Sequence, residues 1–173
     1  MKLENLIIFF MIVIFSCATK PEKKEPVKTM CLLFDIPDFF ANDEKSAYGF
    51  RYDYMFIEKN KHYADSDFIV AVRHMDKIFN DTLSDFTKTD QNNLKKMVKV
   101  NDESEWQPSG FKDKKINFIS MQFNYFYKAE KIYQRSVYLE CGKFFYIISL
   151  SSKRDNQIDH EKFDAFWKSI KVE

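Results

Sequence analysis

Three histidines, two cysteines in the body of the chain and a surplus of tyrosine are the side chains here that could do chemistry. His62 stands in a charged stretch with Asp65 and Asp67, donor types that suit a divalent cation. Calcium, however, wants six or more oxygens in a shaped cage, and three such groups equally describe a solvated loop. His74 lies two residues before Asp76, where a carboxylate could orient an imidazole as a general base. A strand-end histidine bonded to nearby backbone fits the same residues. Cys141, followed by Gly142 and Lys143, would need an electropositive, partly exposed setting to act as a nucleophile, and no histidine is near it in sequence. There is no Gly-x-Ser-x-Gly elbow and no His-Glu-x-x-His pair. With Gly at only 3 of 173 positions, a phosphate-cradling glycine loop is excluded. The expectation is a protein that is not an enzyme, with no catalytic set, no metal site and no cofactor.

Tyrosine offers a different use. Tyr48, Tyr52, Tyr54, Tyr125, Tyr127, Tyr133 and Tyr138 exceed what a core normally takes, and tyrosine combines rigid contact area with a polar tip. Tyr52 and Tyr54 fall on one face of an alternating stretch and are the candidate partner surface. Rings that merely fill the layers between sheet and helix are the plainer account of the rest. An open aromatic face would favour a protein partner. An enclosed apolar cavity between sheet and helices would favour the alternative, a carrier for a small hydrophobic or lipid-like ligand.

The N-terminal region carries an address. Lys2 precedes an unbroken apolar run over residues 6–15, closed by Ile14-Phe15-Ser16-Cys17. A spanning helix needs roughly 20 apolar residues, about twice this run, and small residues before a cut are the mark of an export signal. The layout resembles the bacterial lipoprotein signal, with Phe15 bulky for its place in the box. That resemblance implies cleavage before Cys17 and acylation of its thiol, for example by palmitate. Two or three chains on one cysteine would hold firmly where one would not. Residues 19–28, TKPEKKEPVK, are too charged and proline-broken to order themselves. The division expected is therefore a signal peptide over residues 1–16, a lipidated cysteine with flexible tether over 17–29, and one domain over 30–173. The location expected is a bacterial membrane, lipid-anchored at its periplasmic or surface face, with an envelope protein as partner.

Lys and Arg total 27 against 26 acids, a formal net charge of +1, so no basic field exists to recruit nucleic acid. Cys31 and Cys141 could form a disulfide in an exported protein, which requires Cα atoms within about 7 Å. Cys31 lies in a strand-like run and Cys141 at a hairpin turn, so they need not be neighbours, and two free thiols stay open.

The elements that must position these groups follow from periodicity. A short strand is expected over residues 30–36, ended by Pro37-Asp38, with Phe39 and Phe40 in the core and a polar loop over 42–47. Phe50, Tyr52, Tyr54 and Phe56 alternate with Arg51 and Asp53, predicting a half-buried strand. A charged loop and a second strand over 68–74 follow. Thr82 or Ser84 can cap a helix carrying Leu83, Phe86, Leu94, Met97 and Val98. Residues 102–115 read as loop, broken at Pro108-Ser109-Gly110. Residues 116–127, 132–139 and 144–151 alternate cleanly and are joined by short turns, the pattern of a three-strand meander. A last helix, capped by Asp155 or Asp159, carries Ile158, Phe163, Phe166, Trp167 and Ile170 on one face.

This order of elements, the Ile36-Pro37 opening, the Gly142 hairpin and the Phe166-Trp167-Lys168-Ser169-Ile170 close resemble the PsbP-like (Mog/PsbP) superfamily. The resemblance covers residues 30–173. It implies an α+β fold, an antiparallel β-sheet with packed helices in an α/β/α sandwich. It also implies a protein that works by binding partners, and it carries over no site residues.

Overall fold

Two tight turns set the register of the longest strands. In the computed structural model, which describes residues 26–29, 31–78, 81–106 and 116–172, β7 (Phe118–Tyr127), β8 (Glu130–Cys141) and β9 (Phe144–Ser152) form an antiparallel meander. The first turn uses Lys128 and Ala129, both at positive φ, as the tight hairpin turns matched to strand twist require. The second uses Gly142 at φ 59°, where a Cβ would meet no neighbouring atom. The backbone angle, not crowding, is what favours glycine there.

Around the meander lie β3 (Phe40–Asn42), β4 (Tyr54–Glu58), β5 (Phe68–Asp76) and β6 (Val100–Glu105). The seven strands form one sheet in the order β3-β4-β5-β9-β8-β7-β6, with antiparallel neighbours throughout. A three-stranded ribbon, β1 (Val27–Lys28), β2 (Leu32–Phe34) and β10 (Ile170–Val172), lies apart from it in the order β1-β2-β10. Helices α1 (Glu44–Phe50), α2 (Leu83–Met97) and α3 (Gln157–Ser169) are capped by Asp43, Thr82 and Asn156, whose side chains accept from Ser46, Asp85 and Asp159 amides. Each cap satisfies a donor that the first helical turn leaves open.

The two faces of the sheet are separated by alternation. Val70, Val72, Val137, Leu139, Tyr146, Ile148 and Leu150 point to the face covered by α3 and the ribbon, where they join Leu32, Phe34, Phe40, Phe56, Phe68, Phe163, Phe166 and Trp167. Phe166 meets Phe34, Phe40 and Phe56 at ring separations of 5.9, 5.9 and 5.5 Å. Trp167 packs edge-on against Phe163 at 4.8 Å. The other face holds two smaller clusters. One sets Leu83 and Phe86 of α2 on Tyr138, Phe145 and Ile147; the other sets Ala47 of α1 on Met55 and Ile57. This is an α+β fold, an antiparallel sheet between helices, as expected.

Several local expectations are corrected. The strand over 30–36 shortens to β2, and Phe39 is 36% exposed while Phe40 is buried. The loop over 42–47 is in large part α1, made possible by the Asp43 cap. The loop over 102–115 begins as the polar edge strand β6, whose side chains are mostly exposed and so show no apolar alternation. Asn156, rather than Asp155 or Asp159, caps α3, and Ile158 turns outward at 65% exposure. Met30 and the Pro108-Ser109-Gly110 breaker lie outside the described residues, as do residues 1–25 with Cys17.

Candidate functional site

The sequence-derived site residues are dispersed by the fold. His62 accepts the Ala64 amide on Nδ1 at 3.3 Å and so caps the short turn Tyr63–Asp65. Asp67 faces Lys61 at 3.5 Å and Arg154 at 3.6 Å. Among the described residues no group of three or more His, Cys, Asp or Glu stands close enough to hold a metal ion. His74 turns to Asp53, not Asp76: Nδ1 lies 2.8 Å from Asp53 Oδ2, which also accepts the His74 amide at 2.5 Å. Its ring rests edge-on against Phe144 at 5.2 Å. Cys31 and Cys141 are joined, with Cα atoms 6.3 Å apart, so the bridge ties the start of β2 to the last residue of β8.

Tyr52 and Tyr54 do not share a face. Arg51 ends α1 in the left-handed conformation at φ 60°, and regular strand begins only at Tyr54. Tyr54 lies against Phe34 and Phe56 on the α3 side, and its hydroxyl donates to the Lys28 carbonyl at 3.0 Å. Tyr52 packs with Ala47, Met55 and Ile57 on the opposite side. Both are half-buried, and burial pushes both phenol pKa values up, with nearby Asp53 adding to the effect at Tyr54. Tyr138 belongs to the core. Its hydroxyl donates to Asp90 at 3.0 Å, Asp90 also holds Arg73 at 2.8 Å, and burial followed by the Asp90 charge raises the Tyr138 pKa strongly.

Phe50, which ends α1 rather than opening a strand, and Tyr63, which carries no periodic signal, form a second aromatic contact. Their rings lie 4.8 Å apart, with Phe50 50% and Tyr127 53% exposed. Tyr63 is raised in pKa by burial and then by the neighbouring Tyr127. Tyr125 is pushed up to about 12, first by burial, with Tyr52, Tyr63 and Tyr127 adding to it. Tyr63 thus links Phe50 of α1 to Tyr125 and Tyr127 at the end of β7. Tyr48, 87% exposed on the same helix, is the most solvent-facing large ring nearby.

A cavity of about 390 Å³ opens on the α3 face between the sheet and the start of α3. Its lining includes Gln122, Asn124, Lys131, Tyr133, Arg135, Ser152, Arg154, Asp155, Asp159 and His160. It is polar, not the enclosed apolar space that a lipid-like ligand would need.

No known protein family and no curated protein matches this chain. Among solved structures it is similar to cyanobacterial PsbP (CyanoP) from Synechocystis sp. PCC 6803, with a TM-score of 0.59 at 12% identity over 91% of this chain and 98% of that one. A protein of unknown function from Pseudomonas aeruginosa matches with a TM-score of 0.40 at 12% identity, over 68% of this chain and 69% of that one. The likeness to the cyanobacterial protein is one of fold: an antiparallel sheet between helices, of PsbP-like type.

Proposed function

We propose that this protein is a lipid-anchored, non-enzymatic module of the bacterial envelope that binds a protein partner. The observation that carries the reading is the aromatic patch of exposed Phe50 and Tyr127 beside half-buried Tyr63, because interface energy concentrates in a few aromatic anchors. It lies on the α1 side of the sheet, whereas the ribbon containing β1, through which the N-terminal segment enters, lies on the α3 side. A domain held by Cys17 therefore presents this patch away from the face on which its tether enters. Among the described residues no helix is long and apolar enough to cross a membrane, and acylation of Cys17 would supply the anchor.

Two experiments test the two halves of the proposal. Cys17→Ser should release the protein from the membrane fraction or leave its precursor uncut; a normally processed variant that stays on the membrane would refute the anchor. A photo-crosslinker placed in cells at position 50 or 127 should give an adduct of discrete mass. The same probe at Lys168, exposed on the opposite face, should give none. Identical behaviour at the two faces would refute the partner surface.

A further inference from the structure

The polar cavity on the α3 face holds an imbalance of charge. Lys131, Tyr133 and Arg135 alternate along β8 and share one side of the sheet. Asn124 and Gln122 of β7 stand directly opposite Tyr133 and Arg135, and the start of α3 closes the far wall with Asp159 and His160. Each carboxylate in the lining is already engaged. Asp159, 1% exposed, accepts from Ser152 at 2.7 Å and Asn156 at 3.4 Å, with Arg154 at 3.4 Å and Lys162 at 3.8 Å. Asp155 meets His160 Nε2 at 2.9 Å, and Asp102 accepts from Asn124 at 2.7 Å.

Two cations in the lining have no such counterpart. Arg135 lies 5.0 Å from the centre of the Trp106 ring and places one Nη2 3.4 Å from His160 Nδ1. An imidazole carries no negative charge in any protonation state, so His160 supplies no countercharge to the guanidinium. Lys131 sits 4.9 Å over the Tyr133 ring. Neither has a carboxylate within ion-pair distance among the described residues. Burial lowers the pKa of the half-buried Arg135 guanidinium, offset only in part by Asp155 and Asp164, which act from beyond ion-pair distance. Its remaining N–H groups form the planar fork that grips two oxygens of a carboxylate or phosphate at once.

We propose that this cavity binds a small soluble oxyanion, a carboxylate or phosphate, held by Arg135 with help from Lys131 and Tyr133. About 390 Å³ falls at the small end of ligand pockets, which run roughly 300–1,000 Å³. The site is on the opposite face from the aromatic patch, so the two proposals stand or fall separately.

The test is calorimetric titration of the full-length protein with succinate and, separately, inorganic phosphate, with tryptophan emission followed in parallel because Trp106 stacks on Arg135. At least one probe should saturate at millimolar concentration or below. Arg135→Gln should weaken it about tenfold or more, since it removes charge-assisted hydrogen bonds, and Lys131→Gln by about threefold. Phe50→Ala should leave it unchanged. If Arg135→Gln does not fold, the Lys131→Gln result decides: weakened binding upholds the site, and unchanged binding overturns it. Absence of saturable binding by both probes, or full binding by folded Arg135→Gln, overturns the proposal. So does Arg135-dependent sedimentation with phosphatidylglycerol vesicles when neither soluble anion binds, because the site would then read lipid headgroups.

Discussion

The two faces of the central sheet are built from the same strands yet do different work. On the α3 face, Phe34, Phe40, Phe56, Phe68, Phe163, Phe166 and Trp167 form one continuous aromatic core with no solvent contact. On the α1–α2 face the apolar contacts divide into two small clusters, and the aromatic residues between and beyond them reach water. The division teaches where stability and recognition are separable. A change in that aromatic core should cost folding energy, while a change on the open rim should leave the fold intact and alter only what the surface touches.

The largest effect that would break or sharpen this contrast is at Trp167. Truncating a buried aromatic costs about 3–5 kcal/mol, a large part of a typical 5–15 kcal/mol domain stability. Trp167→Ala should lower the thermal midpoint sharply, Phe86→Ala on the other face less, and exposed Lys168→Ala hardly at all. Equal small shifts from all three would show that α3 is not the anchor of the core.

Next comes the bridge between Cys31 and Cys141, separated by 110 positions. Closing a loop of that order restricts the unfolded chain, and disulfides typically contribute about 2–4 kcal/mol. A reductant, or the paired change Cys31→Ser with Cys141→Ser, should lower the urea midpoint accordingly. Insensitivity to reductant would mean that the ribbon is held by packing alone.

Glu58 joins α3 to the loop that follows β4. It accepts from Lys61 at 2.7 Å, Lys162 of α3 at 3.3 Å and the Asp67 amide at 3.1 Å. Burial acts to raise its pKa, but these hydrogen bonds outweigh it and hold the value below the ordinary 4.5. A carboxylate with a depressed folded pKa contributes stability that is present above the unfolded value and lost as pH falls through the folded one. Glu58→Gln should therefore cost about 1.5–3 kcal/mol near neutral pH, and the gap to wild type should close on acidification below 4.5. A gap independent of pH would assign the loss to packing rather than charge.

The smallest effect on folding is expected where the effect on binding is largest. Phe50→Ala with Tyr127→Ala should change stability by no more than about 0.5 kcal/mol per site, as surface substitutions usually do, yet abolish crosslinking at the patch. A large drop in the melting midpoint would instead make these rings part of the core.

Much of this arrangement is legible in the sequence because the signals are repeated. The meander declares itself through three long alternations and two short turns, and α2 and α3 through caps and apolar spacing. The elements that escape have weak local signals for physical reasons. Helix α1 spans only Glu44–Phe50 and contains Gly49, so its stability comes from the Asp43 cap and from Ala47 against the sheet. Strand β6 is an edge whose Asp102, Glu103 and Glu105 face solvent. The shared face expected of Tyr52 and Tyr54 fails because unbroken alternation was assumed between them, whereas the chain bends at Asp53 and regular strand begins only at Tyr54. Phe50 and Tyr63 meet only through tertiary structure. Arg135 likewise shows no sign in sequence that, of the cations near the cavity, it lacks a carboxylate.

The Cys31–Cys141 bridge also fixes the route by which tension would cross this domain. A pull through the tether reaches Cys31 at the root of β2, crosses to Cys141 at the end of β8, and continues toward the C-terminus through β9 and α3. The 110-position span between the two cysteines lies outside that load path, so it cannot lengthen while the bond is intact. An oxidised chain stretched by its ends should therefore yield only its two terminal segments, and reduction should add the missing contour length. If the chain is anchored at its N-terminal end as proposed, a pull on that end alone reaches the sheet through the bridge at Cys141.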